Sequence, residues 1–597
     1  MCGFIGIFSK PQIDRELLKS ANECIVCRGP DKSLEYYEEL STNVNFASIF
    51  NRLSIIDLDD SAMQPMYSKE FNSLILFNGE IFNHRELRKN LQKEGVSFKT
   101  SHSDTEVLLN GFSKHGEDYL SNLVGQFSFC FFDIKNNEIY LARDRLGQKP
   151  LFYRNLNNQF SFSSNLEGLI SYHQDKDISA ESLIEYLNFG VVRSPNTIYQ
   201  NYFKLEPGTI MRINLESLKT SKKKYWDIEN YVGNEKFNQE EFFNLLNSAV
   251  SLRMESDVPV ANFLSGGIDS TTIIRELSDG QFSKINSFSV KHEDSKYDES
   301  QYIDQVVKKY NTNHTYKIFN SEIKTKDIIN SINAFDEPYA DPSTVPSFLL
   351  SKIISKDYKV AISGDGGDEL LGGYDRFHQA FEKRNYFDRL ISNFYQIYPA
   401  SFGTGTYFKS RSSDYSVAYS SYFEDIKLLK LFGLNFDDKK ANKIYTKEFD
   451  KYKSLMLTEY KLYLSEMMML KVDRTSMANS LEVRSPFVDH RLIEYILRSD
   501  YQYFDKDYSK KLLKNKLKID FDNKFINRPK QGFVFNIEEW VFKNINLIEE
   551  RIEDGIVAEI LDKNIIKKLT RVKSRMNANR IWKIFFLETY WSRINSK

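Results

Sequence analysis

Short apolar runs punctuate roughly the first 200 residues of the chain. Leu74-Ile-Leu-Phe77, Phe127-Ser-Phe-Cys-Phe-Phe132, Ile139-Tyr-Leu-Ala142 and Phe160-Ser-Phe162 are alternating or continuous in apolar character, which predicts strands. Helical patterns near 84–94 and 104–114 lie between them, so sheets layered with helices follow. A polar, lysine-rich passage around 213–240 reads as a linker. Beyond it the pattern alternates: strands over 258–264, 285–290 and 359–363, helices over 299–310 and 346–356. That is the pattern of a doubly wound parallel sheet, whose ligands bind beyond the carboxyl ends of the strands. From about 375 the chain reads mostly helical. The expected class is α/β in two units, 1–212 and 236–597.

One junction in the second unit carries chemistry. The apolar run Val258–Leu264 enters Ser265-Gly-Gly-Ile-Asp-Ser270 and leaves as a helix with Ile273, Ile274 and Leu277 on one face. Two glycines allow close backbone approach, hydroxyls stand at both ends, and the free amides of the helix start face the same point, so the loop predicts an anion site. It lacks the lysine of the common phosphate loop and carries Asp269, which would repel phosphate unless a divalent cation lay between them. Pyrophosphate with magnesium fits; a generic Gly turn is the plainer alternative.

At the start of the chain, removal of Met1 would leave Cys2 with both a thiol and the α-amine. An α-amine titrates near 7.7–8.0 and a thiol near 8.5, so nucleophile and base would be one residue. No charged or apolar leader precedes Cys2, which argues against a lipoprotein. An amide-attacking thiol needs an oxyanion hole and a grip on its substrate. The Asn78 side-chain amide and the Gly79 N–H suit the first, while Arg52 suits a carboxylate and Asp104 an ammonium. Together these ends describe an amino acid, and a side-chain amide beside Cys2 makes it glutamine. A turn at Asn78-Gly79, a surface Arg52 and a helix cap at Asp104 are the blander readings.

Composition narrows the setting. With 597 residues and 41% hydrophobic content there is room for several well-buried cores. The 81 basic and 82 acidic side chains nearly cancel, so no global field draws the chain to nucleic acid or an anionic membrane. No apolar stretch reaches the roughly 18 residues that span a bilayer, and the expectation is a cytoplasmic protein without membrane insertion. Four cysteines make no disulfide framework, and Cys24-Ile-Val-Cys27 has no second pair for zinc.

Cys2-Gly-Phe-Ile-Gly6, Arg28-Gly-Pro-Asp31, Arg52-Leu-Ser-Ile-Ile-Asp57, Gln64-Pro65, Asn78-Gly-Glu-Ile-Phe-Asn-His84, Ser103-Asp-Thr-Glu106 and Ala142–Phe152 closely resemble the glutaminase domain of glutamine-dependent asparagine synthetases, and the resemblance runs through nearly the whole chain. It implies an N-terminal-nucleophile (Ntn) hydrolase sandwich followed by an ATP pyrophosphatase domain. Within the first, Cys2 would be the nucleophile, Arg52 would hold the glutamine α-carboxylate, Asp104 its α-amine, with Glu80 beside them, and Asn78 with Gly79 would form the oxyanion hole. Cys27 departs from the family, which usually has His before Arg-Gly-Pro-Asp.

For the second domain, the resemblance implies that Ser265, Gly266, Gly267 and Ser270 cradle pyrophosphate, and that Asp269 and Asp368 hold the Mg2+ carried by ATP. Leu264, Val290, Ser363 and Gly364 would border the nucleotide, and Lys530 would stabilise charge during adenylation. Asp365 stands where the family usually has Glu. The implied reaction adenylates a carboxylate and displaces AMP with ammonia, which must travel inside, along an apolar interface between the domains. A homodimer is the family's habit.

The resemblance weakens at the acceptor. Asp336–Pro346 replaces a Thr-Thr-Ile-Arg-Ala-Ser-Thr-Pro element, with Pro342 near the Arg position. Asp336, Glu337 and Asp341 remain as candidates for an ammonium, and Arg376, Lys471, Arg474 and Arg484 for a carboxylate. Aspartate is the leading acceptor, a uronic acid of a surface glycan the close rival, and a catalytically silent binding protein the remote one.

Overall fold

The structure is a computed structural model. It describes all residues except 1, 41–43, 281, 283, 293–298, 320–322, 382–384, 400–401, 403–404, 413–417, 420, 435–448, 502–508, 529–534, 554, 556, 561–563 and 597.

Twelve strands build two antiparallel sheets. These are β1 Cys2–Ser9, β2 Lys32–Leu40, β3 Val44–Arg52, β4 Met66–Ser68, β5 Ser73–Ile81, β6 Gly125–Asp133, β7 Glu138–Arg143, β8 Phe152–Leu156, β9 Gln159–Ser163, β10 Phe203–Lys204, β11 Thr209–Asn214 and β12 Thr220–Lys224. One sheet runs β10-β8-β9-β1-β3-β2 and the other β12-β11-β7-β6-β5-β4. The period of two explains why they stack. Phe4 and Phe8 of β1 pack with Leu74, Leu76, Cys130 and Phe132 in a core between the sheets. Ile5 and Ile7 point the other way, onto Leu18 and Leu166 of the helices Arg15–Glu23 and Leu166–His173. Ile75 and Phe77 likewise meet Val107 and Leu108 of the helix Asp104–His115. Both faces of each central strand are buried, so their sequences read as near-continuous apolar runs. The result is the expected layered sandwich, helices outside two sheets.

The supposed linker is partly sheet. β11 runs to Asn214, and Thr220–Lys224 forms the exposed edge strand β12. Lysines on an edge strand discourage pairing with another chain, and that same composition mimics a linker in sequence.

The second unit has a five-stranded parallel sheet made of β13 Val260–Phe263, β14 Asn286–His292, β15 Asn313–Phe319, β16 Val360–Ile362 and β17 Glu482–Arg484, in the order β15-β14-β13-β16-β17. The chain winds from β13 outward to β15, then returns to β16 on the other side. The switch point therefore lies between β13 and β16, where ligands of such sheets bind. The helices Ser300–Tyr310 and Thr344–Ile354 fall where the periodicity predicts them, and described residues beyond 375 are mostly helical.

Candidate active site

The thiol end forms where β1 and β3 pair. Cys2 lies opposite Arg52 in the antiparallel register, and the Cys2 N–H donates to Asn78 Oδ1 at 3.2 Å. Asn78 Nδ2 donates to Ser128 Oγ at 3.5 Å. Gly79 has φ +149°, and a Cβ there would lie 2.1 Å from the Gln126 carbonyl oxygen, so only glycine fits. Arg52 is buried and its guanidinium donates to Asp59 O at 2.7 Å and to Asp57 O. Asp104 opens its helix, and its Oδ2 accepts the Ile81 N–H at 3.1 Å. Burial pushes the Cys2 thiol above its ordinary value, with Arg52 pulling it down and Asp104 pushing it up. A thiol so placed needs a base to ionise it.

Glu80 takes a different direction. Its carboxylate meets Arg484 of β17 at 3.3 Å, so it faces the second unit. Burial, with Asp104 nearby, raises its pKa well above the carboxylate range against the pull of Arg484.

The second cluster lies beyond the carboxyl ends of β13, β14 and β16. Gly266 has φ +70°, and Gly267 caps the helix Ile268–Asp279 without any side-chain cap. Ser265 Oγ accepts the Gly267 N–H at 3.2 Å and lies 3.2 Å from Ser270 Oγ, closing the loop on itself. Ile268, Asp269 and Ser270 of the helix start line the cavity beside it. Leu264 is fixed by Phe288, whose carbonyl accepts its N–H at 2.8 Å. In the second loop, Ser363 Oγ donates to Asp365 at 2.8 Å, and the Ser363 N–H donates to the Arg484 carbonyl at 3.0 Å. A Cβ at Gly367 would come within 2.8 Å of the Asp269 carboxyl, so that glycine lets the two loops touch. Both loops line one cavity of about 1120 Å³, which Val290, Gly364, Asp368, Glu369 and Lys471 also border.

Lys510 joins these loops. Its ammonium contacts Asp269 Oδ2 and Asp368 Oδ1 together. The two carboxylates hold its pKa above the ordinary value although burial opposes it. Lys510 was not expected; Lys530 was, and it lies outside the described residues. Two carboxylates from different strand ends converging on one cation fit a magnesium ion, which takes few protein oxygens and fills its sphere with water and phosphate. No group of three or more acidic, His or Cys side chains suited to a metal occurs among the described residues.

The acceptor candidates separate sharply. Arg376 is held by Glu459 and stacked against Tyr374 and Tyr463, with ring centroids at 3.9 and 4.2 Å. Arg474 is bound to Asp336 at 2.7 Å and to Asp473 at 2.9 Å, and Arg484 to Glu482. Glu337 pairs with Lys204; burial raises its pKa to about 7. Lys471 remains on the cavity wall, 2.9 Å from Ser343 Oγ and 3.5 Å from Asp341.

The contact between the units includes an apolar surface, in which Tyr186, Val191 and Ile198 share a buried cluster with Ile332, Phe335 and Trp582, and Leu53 and Ile55 share another with Val260 and Leu264; a buried ionic cluster interrupts it. Arg28 grips Asp473 bidentately at 2.8 and 3.0 Å, and Lys149 approaches the same carboxylate at 3.7 Å. Together they hold Asp473 well below the usual carboxylate range despite its burial. Met468 and Met469 pack into the core of the second unit, and Met467 packs against the other large cluster, as ordinary apolar filler.

Residues 1–226 match the glutamine amidotransferase domain family and residues 241–592 the asparagine synthase family. Glutamine-hydrolysing asparagine synthetase 1 of Bacillus subtilis is 30% identical, covering 100% of this chain and 97% of its own. A putative glutamine-hydrolysing asparagine synthetase 2 of Methanocaldococcus jannaschii is 36% identical over 63% of this chain and 76% of its own. Amidase chry2 of Gibberella zeae is 23% identical over 90% of each chain. The chain belongs to the asparagine synthase family, with a glutamine amidotransferase domain preceding the synthase domain.

Proposed function

We propose that this protein hydrolyses glutamine at Cys2 and uses the ammonia to convert aspartate to asparagine at the expense of ATP. The observation that carries the reading is the pairing of Cys2, whose N–H is held by Asn78, in one domain with two acidic glycine loops, bridged by Lys510, in the other. We divide the chain between 212 and 236.

In the first domain, Arg52 takes the glutamine α-carboxylate and Asp104 its ammonium. The α-amine of Cys2, once Met1 is gone, removes the thiol proton, and the sulfur attacks the side-chain amide carbon. Asn78 Nδ2 and the Gly79 N–H receive the developing oxyanion. The proton then leaves on ammonia, and water releases glutamate from the thioester. In the second domain, the Ser265–Ser270 amides and hydroxyls hold the pyrophosphate end of ATP. Asp269 and Asp368 would hold magnesium, which when bound neutralises phosphate charge. Lys510 supplies a further positive charge to the leaving pyrophosphate. The acceptor carboxylate attacks the α-phosphorus, and ammonia displaces AMP from the acyl adenylate.

Lys471 with Asp341 supports aspartate as acceptor, because a short amino acid needs one cation and one anion beside its α-groups, and sites built that way reject analogues lacking them. ATP use and a free thiol nucleophile fit a cytoplasmic location. The deciding experiment incubates purified protein with glutamine, Mg-ATP and either aspartate or a panel of uronic acids and their nucleotide conjugates. Stoichiometric asparagine and pyrophosphate are expected; product from a uronate alone, with glutamine still hydrolysed, assigns the other acceptor.

A further inference from the structure

The residues that would grip glutamine are fastened from outside their own domain. Arg52 ends β3, and its guanidinium is oriented by two backbone carbonyls, Asp57 O and Asp59 O. The loop bearing them turns at Asp57 with φ +52°, a left-handed conformation that a non-glycine residue adopts only when its surroundings hold it there. Asp257 does the holding. Its own N–H donates to Ile55 O at 2.9 Å, and its Oδ2 accepts the Asp57 N–H at 2.7 Å, so the two bonds straddle the turn.

The same carboxylate oxygen reaches the opposite arm of the clamp. Asp257 Oδ2 lies 2.6 Å from His102 Nε2. The backbone N–H of His102 donates to the Asp57 carboxylate at 3.1 Å, and Ser101 Oγ donates to that carboxylate at 3.2 Å. His102 stands two residues before Asp104, which opens its helix. One side chain thus touches the supports of Arg52 and of Asp104 together. Asp257 itself sits just before β13, the strand that runs into the Ser265 loop. A movement at the nucleotide loop has a short, hydrogen-bonded route to both arms.

We infer that Asp257 is a positioning residue that sets the spacing of Arg52 and Asp104 from the synthase domain, and so couples occupation of the nucleotide site to glutamine binding. This rests on the proposed reading of the glutamine site. Glutamine presents its α-carboxylate and α-ammonium on one carbon, so a small change in the spacing of the two arms weakens both contacts at once.

The test uses the full chain with Asp257→Ala and Asp257→Asn. Asp257→Ala should raise the KM for glutamine about tenfold with kcat within about twofold of the parent, because the lost interaction acts on binding. Asp257→Asn keeps an acceptor for the Asp57 N–H and should fall between. Pyrophosphate release driven by ammonium salts should stay at the parent level in both. Mg-ATP with acceptor should lower the glutamine KM in the parent and not in Asp257→Ala. A KM unchanged in Asp257→Ala overturns the inference, as does a parallel fall of both nitrogen-source activities together with the melting temperature, which marks a purely structural clasp. A parent protein that hydrolyses no glutamine overturns instead the reading of the thiol site, and that result is visible before any variant is made.

Discussion

Replacing Lys510 with Met leaves a side chain of similar length and removes a charge that Asp269 and Asp368 share. The ammonium and both carboxyl groups are less than one-fifth exposed, so screening by solvent is partial. At an effective dielectric of about 20, unit charges about 4 Å apart interact by about 4 kcal/mol. In the parent protein two such attractions outweigh the single repulsion between the aspartates. In Lys510→Met both attractions are lost and the repulsion stays, and the loss should approach the ~3–5 kcal/mol seen when one partner of a buried pair is removed. Differential scanning fluorimetry should show a clear fall in the unfolding temperature of the synthase domain. Millimolar magnesium without nucleotide should restore part of it, since the two carboxylates then lack the Lys510 ammonium, whereas the parent should gain less. Pyrophosphate release should fall by about 10²–10³, the scale of losing one charge-stabilising group, while glutamine hydrolysis persists. A variant that melts with the parent and ignores magnesium would falsify the idea that Lys510 holds these loops together.

Cys2→Ala should abolish glutamine-dependent synthesis while ammonium salts still support it, and equal loss with both nitrogen sources would contradict two separate sites. Asn78→Ala should lower glutaminase turnover by roughly 10²–10³, the usual cost of one oxyanion donor; a change confined to KM would place Asn78 outside the oxyanion hole. Asp368→Asn should stop pyrophosphate release with either nitrogen source and spare glutamine hydrolysis, and parent-rate release at saturating magnesium would remove it from the metal site. Arg28→Met should lower stability at neutral pH by less than the ~3–5 kcal/mol of a buried charge left wholly unpaired, because Arg474 and Lys149 still face Asp473. Because Arg28 depresses the Asp473 pKa in the folded state, that stabilisation is present above the unfolded value of about 3.9 and is lost as pH falls below it. Urea midpoints of parent and variant should therefore converge on acidification, and a gap independent of pH would show that the pair contributes by packing alone.

What could be read from sequence and what could not follows from where each residue's partners lie. Leu74–Phe77 and Phe127–Phe132 announced themselves because sheets buried on both faces leave no room for polar positions, and the two glycine loops because tight turns before helices demand particular residue types. The lysine-rich edge misled for the opposite reason: Lys222, Lys223 and Lys224 lie on β12, whose outer edge pairs with no other strand among the described residues, so nothing in their pattern distinguishes a strand from a linker. β17 was invisible because three residues carry no period, yet its Arg484 joins Ser363 through its backbone and Glu80 through its side chain. Lys510 and Asp257 escaped for a related reason. Each stands alone in a polar stretch, 241 residues from Asp269 in one case and 200 from Asp57 in the other, and each acquires meaning only when the fold brings that distant partner within hydrogen-bonding reach. Motifs reveal groups that a ligand must meet at one loop. The charges that bridge loops come from anywhere in the chain, as Lys510 does between Asp269 and Asp368 and Asp257 does at the Asp57 turn.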